Sequence, residues 1–331
     1  MADDEVVVHV GAEVRRYRGL DADTEYVLDG VATRTLPRPP GERLATVTTV
    51  NDVHFGETEC GMIDGLDLGP VLRSEPGETP YPETMNRAAI GEMAAIEPDA
   101  VVVKGDLTAN GTVAEYEDFL AAYAPAFGDR LYQVRGNHDA HLGETFASVP
   151  VQEVVLPGVT LAILDTVIPR HHTGQVTADQ LAWLDELAAR ADRPVLVLGH
   201  HHPWDPASAS RPDDYFGVNP EDSEGLVAVL GRHPAICGYF AGHTHRNRVR
   251  RFAATADLPI VEVASVKDFP GSWAEYRVFE GGILQVHRRI STREALDWTN
   301  RTRAMFFGQY ATYSFGQLAD RCFVLPSIGQ A

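Results

Sequence analysis

The sequence predicts an α/β fold: a four-layer α/β/β/α sandwich, two mixed β-sheets flanked by helices, with a small N-terminal β appendage. Three observations carry that prediction. From Leu44 onward short apolar runs recur, several of them separated by stretches with helical periodicity. Later apolar runs alternate with polar residues as antiparallel pairs do, which asks for a second sheet packed on the first. Ahead of both, residues 5–44 are rich in strand formers and run through the Pro-rich break LPRPPGE.

In chain order, the appendage (1–43) holds VVVHV, a turn near GLDAD and the strand TEYVLDG. The phrase GLDADTEYVL resembles part of a fibronectin-type strand pair, in a segment about half as long as a complete sandwich of that kind. The core (44–290) is built on LATVTTV, AVVVKG, LYQVRG, VTLAILD, PVLVLGH and ICGYFAGH. One helix spans Thr177 to Arg190, where Thr177 and Gln180 form a capping-box pattern and Leu181, Leu184 and Leu187 recur at helical spacing. Another spans Glu83 to Ile96 and stops ahead of Pro98. The runs PIVEVAS, AEYRVFE and GILQVHR are assigned to the second sheet. Connections 55–82 and 203–220 are long enough to carry function. In the C-terminal extension (291–331), STREALDWTNRTRAMFF reads as one amphipathic helix followed by polar coil. There is no internal repeat and no low-complexity tract.

Composition narrows the function. A chain of 331 residues, 44% hydrophobic and 23% charged, can bury a large core as one large domain or two unequal ones. A formal charge of -19 repels polyanions at long range, so neither a nucleic-acid polymer nor an anionic membrane is an expected partner, while a small phosphorylated substrate held by local cations is. The opening MADDEVVVHV is acidic where a secretory signal is basic, and no segment approaches membrane-spanning length. Cys60, Cys237 and Cys322 are too few and too far apart for a disulfide framework or a CxxC zinc site, which fits a reducing cytoplasm. Self-association as a homodimer is left open.

The informative residues stand at strand ends. LATVTTV ends in Asn51, Asp52, Val53 and His54; AVVVKG in Asp106; LYQVRG in Asn137, His138 and Asp139; PVLVLG in His200, His201 and His202; ICGYFAG in His243, Thr244 and His245. In an α/β sheet the carboxyl ends of strands line one crevice, so five such ends converge. Core packing has no need of this pattern, because Ser or Gly ends a strand equally well. Carboxylate, amide and imidazole donors without thiolate suit Mn, Fe, Zn or Co. Asp52, His54, Asp106, Asn137, His200, His243 and His245 are too many for one ion and suit two, bridged by a carboxylate.

Together DVH (52–54), GDLTANG (105–111), GNHD (136–139), GHHHP (199–203) and GHTH (242–245), five blocks over residues 45–290, resemble the calcineurin-like metallophosphoesterase superfamily. The resemblance implies the two-sheet sandwich and a dinuclear metal centre: Asp52, His54 and His245 on one ion, Asn137, His200 and His243 on the other, Asp106 between them. LDT (164–166), the TADQLAWLDELAARA helix and the HHHP cluster look most like the class III cyclic-nucleotide phosphodiesterases. The appendage, the 55–82 loop and the C-terminal extension depart from that pattern and bear on the substrate.

The expected chemistry is hydrolysis of a small phosphodiester, with 3',5'-cyclic nucleotides first and a phosphomonoester or glycerophosphodiester next. Two ions about 3.5 to 4 Å apart lower the pKa of a shared water and clamp the phosphoryl oxygens, so a bridging hydroxide attacks in line. The leaving alkoxide needs a proton, and imidazole is suited to supply it near neutral pH. His138 is the candidate acid, with Asp139 orienting its ring. A noncatalytic scaffold on the same fold is the rival, and the filled ligand positions argue against it. Other roles stay open: His201 and His202 either face substrate or pack; Trp204, Tyr215 and Phe216 either stack on a base or pin the 203–220 loop. Thr108 either caps a helix or bonds within the site. Arg246, Arg248, Arg250 and Arg251 either bind phosphate or form an exposed basic strand face.

Overall fold

The computed structural model of the protein describes residues 1–63 and 66–326. Residues 64–65 of the long loop and residues 327–331 of the C-terminal extension lie outside the described residues.

Two hairpins open the chain: β1 (Glu5–Val10) with β2 (Glu13–Arg18), and β3 (Glu25–Leu28) with β4 (Val31–Arg34). Each is a separate two-stranded ribbon, marginal by itself in water. Docking supplies what pairing lacks. Arg277 Nη1 lies 2.6 Å from buried Asp3 and 2.7 Å from Asp4, and Arg288 pairs with buried Glu5. Ala2 and Leu36 pack on Phe279, Leu284 and Val286.

The first large sheet begins with β5 (Arg43–Val50). The 55–82 connection follows, carrying the short pair β6 (Glu59–Cys60) and β7 (Leu72–Arg73) and leading into α1 (Tyr81–Ala94). Then come β8 (Ala100–Lys104), α2 (Val113–Phe127) and β9 (Leu131–Val134), so that β5, β8 and β9 run parallel. The second sheet takes β10 (Val151–Leu156), β11 (Val159–Leu164), β12 (Val195–Leu198), β13 (Ile236–Ala241), β14 (Arg248–Arg251) and β15 (Pro259–Glu262). Its helices are α3 (Ala178–Ala189) and α4 (Pro220–Arg232). The chain then returns to the first sheet with β16 (Ser272–Phe279) and β17 (Gly282–Arg289), continues through α5 (Arg293–Thr302), α6 (Tyr310–Phe315) and α7 (Leu318–Arg321), and ends in β18 (Phe323–Pro326).

The strand orders are β18-β17-β16-β5-β8-β9 and β10-β11-β12-β13-β15-β14. Both sheets are mixed: the second is parallel at its centre and antiparallel at both edges, whereas the first is parallel from β5 to its β9 edge and antiparallel from β5 to its β18 edge. Val47, Val102 and Val134 of one sheet meet Leu161, Ile163, Leu196 and Phe240 of the other in the middle of the sandwich. Each fully buried aliphatic side chain of this kind contributes about 1.5–3 kcal/mol. Helices α1, α2 and α5 cover the outer face of the first sheet, and α3 and α4 that of the second, which completes the four layers. Thr177 and Gln180 form the reciprocal cap expected of them at the start of α3.

Two details differ from the sequence reading. The late strands do not form a sheet of their own: β15 joins the second sheet, while β16 and β17 join the first beside β5. Every residue of β16 is buried, so both of its faces are covered and alternation says nothing about its partner. The segment after α5 is not coil. Its helix stops at Thr302, and two short helices then lead into β18, an edge strand paired with β17.

Candidate metal centre

Asp52 and His54 follow β5, Asp106 follows β8 and Asn137 follows β9, all in the first sheet. His200 follows β12, and His243 and His245 follow β13, in the second. The carboxyl ends of the parallel strands of the two sheets meet, and the site spans both sheets. His243 N–H donates to Asp52 Oδ1 (3.0 Å), and His200 Nε2 lies 3.2 Å from Asn137 Oδ1. The seven residues predicted as ligands are brought together.

They form two neighbouring groups. Asp52, His54, Asp106 and His245 each offer one donor atom within 4.8 Å of the others, and so do His200, His201 and His243. Asp106 stands between them, Oδ2 3.4 Å from His54 Nε2 and Oδ1 3.4 Å from His200 Nε2. Asp52, His54, Asp106, His243 and His245 all hold left-handed backbone, with φ of 54°, 50°, 50°, 68° and 53°. Asp and His tolerate this region better than most residues, yet each such position costs about 1–3 kcal/mol and persists only where its surroundings impose it. The glycine of GNHD answers a different demand: a Cβ on Gly136 would stand 2.1 Å from Asp106 Oδ1 and 2.3 Å from its backbone nitrogen.

The donor set fits cations. His54 Nδ1 and Nε2, His201 Nε2 and His243 Nε2 are buried with no hydrogen-bond partner among the described residues, and buried polar atoms are otherwise rarely left unpaired. Burial drops His54 to about 4, and burial together with neighbouring imidazoles drives His201 and His243 well below the ordinary histidine value, so their lone pairs stay free. Burial opposes protonation of His200 as well, but the adjacent Asp106 carboxylate outweighs it and lifts this ring to about 9. His200 Nδ1–H donates a hydrogen bond to the Lys104 carbonyl (2.8 Å), which turns Nε2 toward Asp106 and Asn137.

His138 is half-buried at the rim, its ring centroid 4.6 Å from that of His54. Its Nδ1 lies 2.7 Å from the Ala109 carbonyl, which can only accept, so Nδ1 carries the proton and Nε2 is left for other chemistry. This corrects the role expected of Asp139. Its carboxylate is turned inward and accepts from Gly136 N (2.7 Å), Leu107 N (3.1 Å), Thr108 N (2.8 Å) and Thr108 Oγ1 (2.8 Å), so it ties the loops after β8 and β9 together instead of orienting the ring. Burial and the charge of Asp106 push this carboxyl up to about 6, against the pull of those donors.

The open readings resolve in the same way. Thr108 bonds within the site, and Thr112 is the cap of α2. Trp204 is buried, with Nε1 donating to Ser210 O (3.0 Å), and so pins its loop. Tyr215 Oη is 3.0 Å from His202 Nε2, and the half-exposed ring of Phe216 stacks on His243 at 3.9 Å. The four arginines after GHTH divide: Arg246 and Arg250 pair with fully buried Glu262 at 2.9 and 3.3 Å, whereas Arg248 and Arg251 are exposed.

Sequence reasoning missed the groups behind His245. Asp268 Oδ2 lies 3.5 Å from His245 Nδ1, Tyr310 donates to Asp268 Oδ1 (2.7 Å), and Lys267 Nζ bridges Asp268 (3.5 Å) and Glu57 (2.6 Å). One signal was present: Lys267 and Asp268 are adjacent charges in VASVKDFPGSWA, a run otherwise of apolar and small residues, and the structure buries every residue of it.

The chain is similar to proteins of known activity and structure. The chain is 32% identical over 163 residues to a cAMP/cGMP dual specificity phosphodiesterase from Mycobacterium tuberculosis, a stretch covering 46% of this chain and 50% of that enzyme. It is 29% identical over 177 residues to a glycerophosphodiester phosphodiesterase from Enterobacter lignolyticus, covering 48% of this chain and 62% of the relative. The match thus spans between half and two thirds of these relatives. In fold it is similar to the crystal structure of a dimetal phosphatase from Danio rerio, with a TM-score of 0.54 at 16% identity over 75% of this chain and 97% of that one. The family model for calcineurin-like phosphoesterases matches residues 45–247, more than half of the sequence and all five strand-end blocks, and the chain belongs to that family.

Proposed function

We propose that this protein is a metal-dependent phosphoric ester hydrolase with a dinuclear centre, acting on a small phosphodiester, foremost a 3',5'-cyclic nucleotide. The observation that carries the reading is Asp106, a carboxylate with one oxygen toward each of two groups of candidate ligands, in which nitrogens of His54, His201 and His243 are buried without a hydrogen-bond partner among the described residues. Asp52, His54 and His245 would hold one ion, Asn137, His200 and His243 the other, with Asp106 shared. His201 stands close enough to the second group to assist it. Bound ions of this kind act as Lewis acids on the phosphoryl oxygens and lower the pKa of the attacking water.

The chain's own residues do the remainder. His138 delivers a proton from Nε2 to the leaving oxygen, and the Ala109 carbonyl keeps the ring in the tautomer that Nε2 must have afterwards. Phe216, stacked on His243 and half-exposed, offers a flat apolar face where a nucleobase would lie. The cyclic-nucleotide preference is supported by the Mycobacterium relative, and the glycerophosphodiester alternative by the Enterobacter one. A cytoplasmic setting is consistent with three cysteines that are free, and no helix among the described residues is long and apolar enough to cross a membrane.

A manganese-supplemented panel of cyclic nucleotides, glycerophosphodiesters and monoesters tests the reading. The largest kcat/KM is expected on a cyclic nucleotide, and turnover confined to monoesters would overturn the diester assignment. The support behind His245 gives a second expectation. Asp268→Asn keeps the volume but loses the charge that steadies His245 Nδ1, so affinity for added metal should fall about 10- to 100-fold. Metal titration followed by elemental analysis reads this directly, and an unchanged affinity would remove Asp268 from the site.

A further inference from the structure

Behind Asp268 and Tyr310 lies a cavity of about 460 Å³, between α6, α7, β17 and the N-terminal hairpin. Arg289, Arg303 and Arg321 line it, and no aspartate or glutamate does. In a protein of formal charge -19 this is an unusual place, because nearly every buried or half-buried arginine elsewhere has a carboxylate beside it, as Arg135 has Asp165 and Arg288 has Glu275. The polar contacts of Arg289 are with Pro270 O and Thr299 Oγ1, and that of Arg321 is with Gln317 O. Asp320, the carboxylate next in sequence, spends its two oxygens on Val249 N and Gln317 N.

Aromatic faces hold the guanidiniums in place. Arg289 and Arg303 lie 5.1 and 5.2 Å from the ring centroid of Phe269, and Arg321 lies 3.7 Å from that of Phe315. Such contacts partly offset a positive charge while leaving N–H donors uncommitted. Burial and the charge of Arg303 together pull Arg289 down to about 10, the mark of repulsion with no counter-ion. His9 and His287 also face the cavity, and burial keeps both well below the ordinary histidine value, so they add neutral imidazoles.

We propose that this cavity is a binding site for a small phosphate-bearing anion, free phosphate or a phosphate ester, held by Arg289, Arg303 and Arg321. Arginine is the side chain best matched to phosphate oxygens, and the cavity is of the size that small ligands occupy. The site is separate from the metal centre and does not depend on its assignment, yet Phe269 directly follows Asp268, and Tyr310 directly precedes Ala311 in the cavity wall. An occupant is therefore placed to press on the group that steadies His245.

Calorimetric titration of the full chain, metal-loaded and again with excess EDTA, with inorganic phosphate and with a nucleoside 5'-monophosphate as probes, tests this. Expected is one anion per chain that persists in EDTA and weakens at least tenfold in Arg303→Gln/Arg321→Gln, with the tighter probe showing whether free phosphate or the ester is preferred. Because the substitutions relieve repulsion, the ligand-free melting temperature should hold or rise. Binding identical in wild type and variant, or matched by chloride at equal ionic strength, overturns the proposal. Arg303→Gln alone, at an exposed position, keeps the test decisive if the double variant does not fold: weakening of about threefold or more is expected, and no weakening rejects the site.

Discussion

Replacing Asp106 by alanine is expected to lower turnover by about 10³-fold or more and to reduce bound metal from two ions per chain to one or none. The size follows from the several kcal/mol that a paired-ion centre supplies to a phosphoryl transition state, each 1.36 kcal/mol being tenfold in rate. Asp106 is the one candidate ligand with an oxygen in each group, so its loss strikes both. Its carboxyl resists protonation: burial works to raise it, but His200 and His138 outweigh burial and hold it well below the usual carboxylate range. The same oxygen that faces His200 accepts the His138 N–H (3.0 Å), so alanine also loosens the GNHD turn. Asp106→Asn separates the two effects, because it keeps an acceptor for that N–H while removing the charge. Elemental analysis of both variants should show metal loss in each, with a melting temperature nearer to wild type in the asparagine variant. Full metal content and full rate in Asp106→Ala would end the dinuclear assignment.

The legible part of this site and the illegible part differ in kind. Asp52, Asp106, Asn137, His200 and His243 could be read from the chain because each follows an apolar run that announces a buried strand, where a charged or imidazole side chain has no packing reason to be. Asp268 and Tyr310 could not be joined to the site or to each other, since one lies in a loop after β15 and the other in a short helix beyond the family match, and only the fold brings them within 2.7 Å. Asp139 was legible as a residue and not as a role. Adjacency suggested that it serves His138, but the tight turn over His138–Ala140 carries its carboxylate to the opposite side, where four donors wait. Strand order failed for a similar reason. Alternation marks a strand with one wet face, and β16, covered on both faces, carries no such mark of its neighbour. Pairing β16 with β5 is a choice made by the whole sandwich, not by either segment.

His138→Ala should keep its metal and lose rate according to the leaving group. General acid catalysis contributes about 10²- to 10⁴-fold where the departing alkoxide is a strong base, as the ribose oxygen of a cyclic nucleotide is. A nitrophenolate leaves without help, so a nitrophenyl diester should slow far less, and the ratio of the two losses is the diagnostic. The geometry supports this division of labour. With Nδ1–H committed to Ala109 O, a proton on Nε2 is the one His138 can give, and its ring, beside the buried His54, is itself only half-buried. His138→Asn adds a sharper arm. It can mimic the Nδ1 contact but cannot deliver a proton, so it should restore the turn without restoring the rate on the cyclic substrate. Equal losses on activated and unactivated esters would mean that the ring positions phosphate instead, and the acid would have to be sought elsewhere, first at His141, whose ring centroid lies 4.4 Å away.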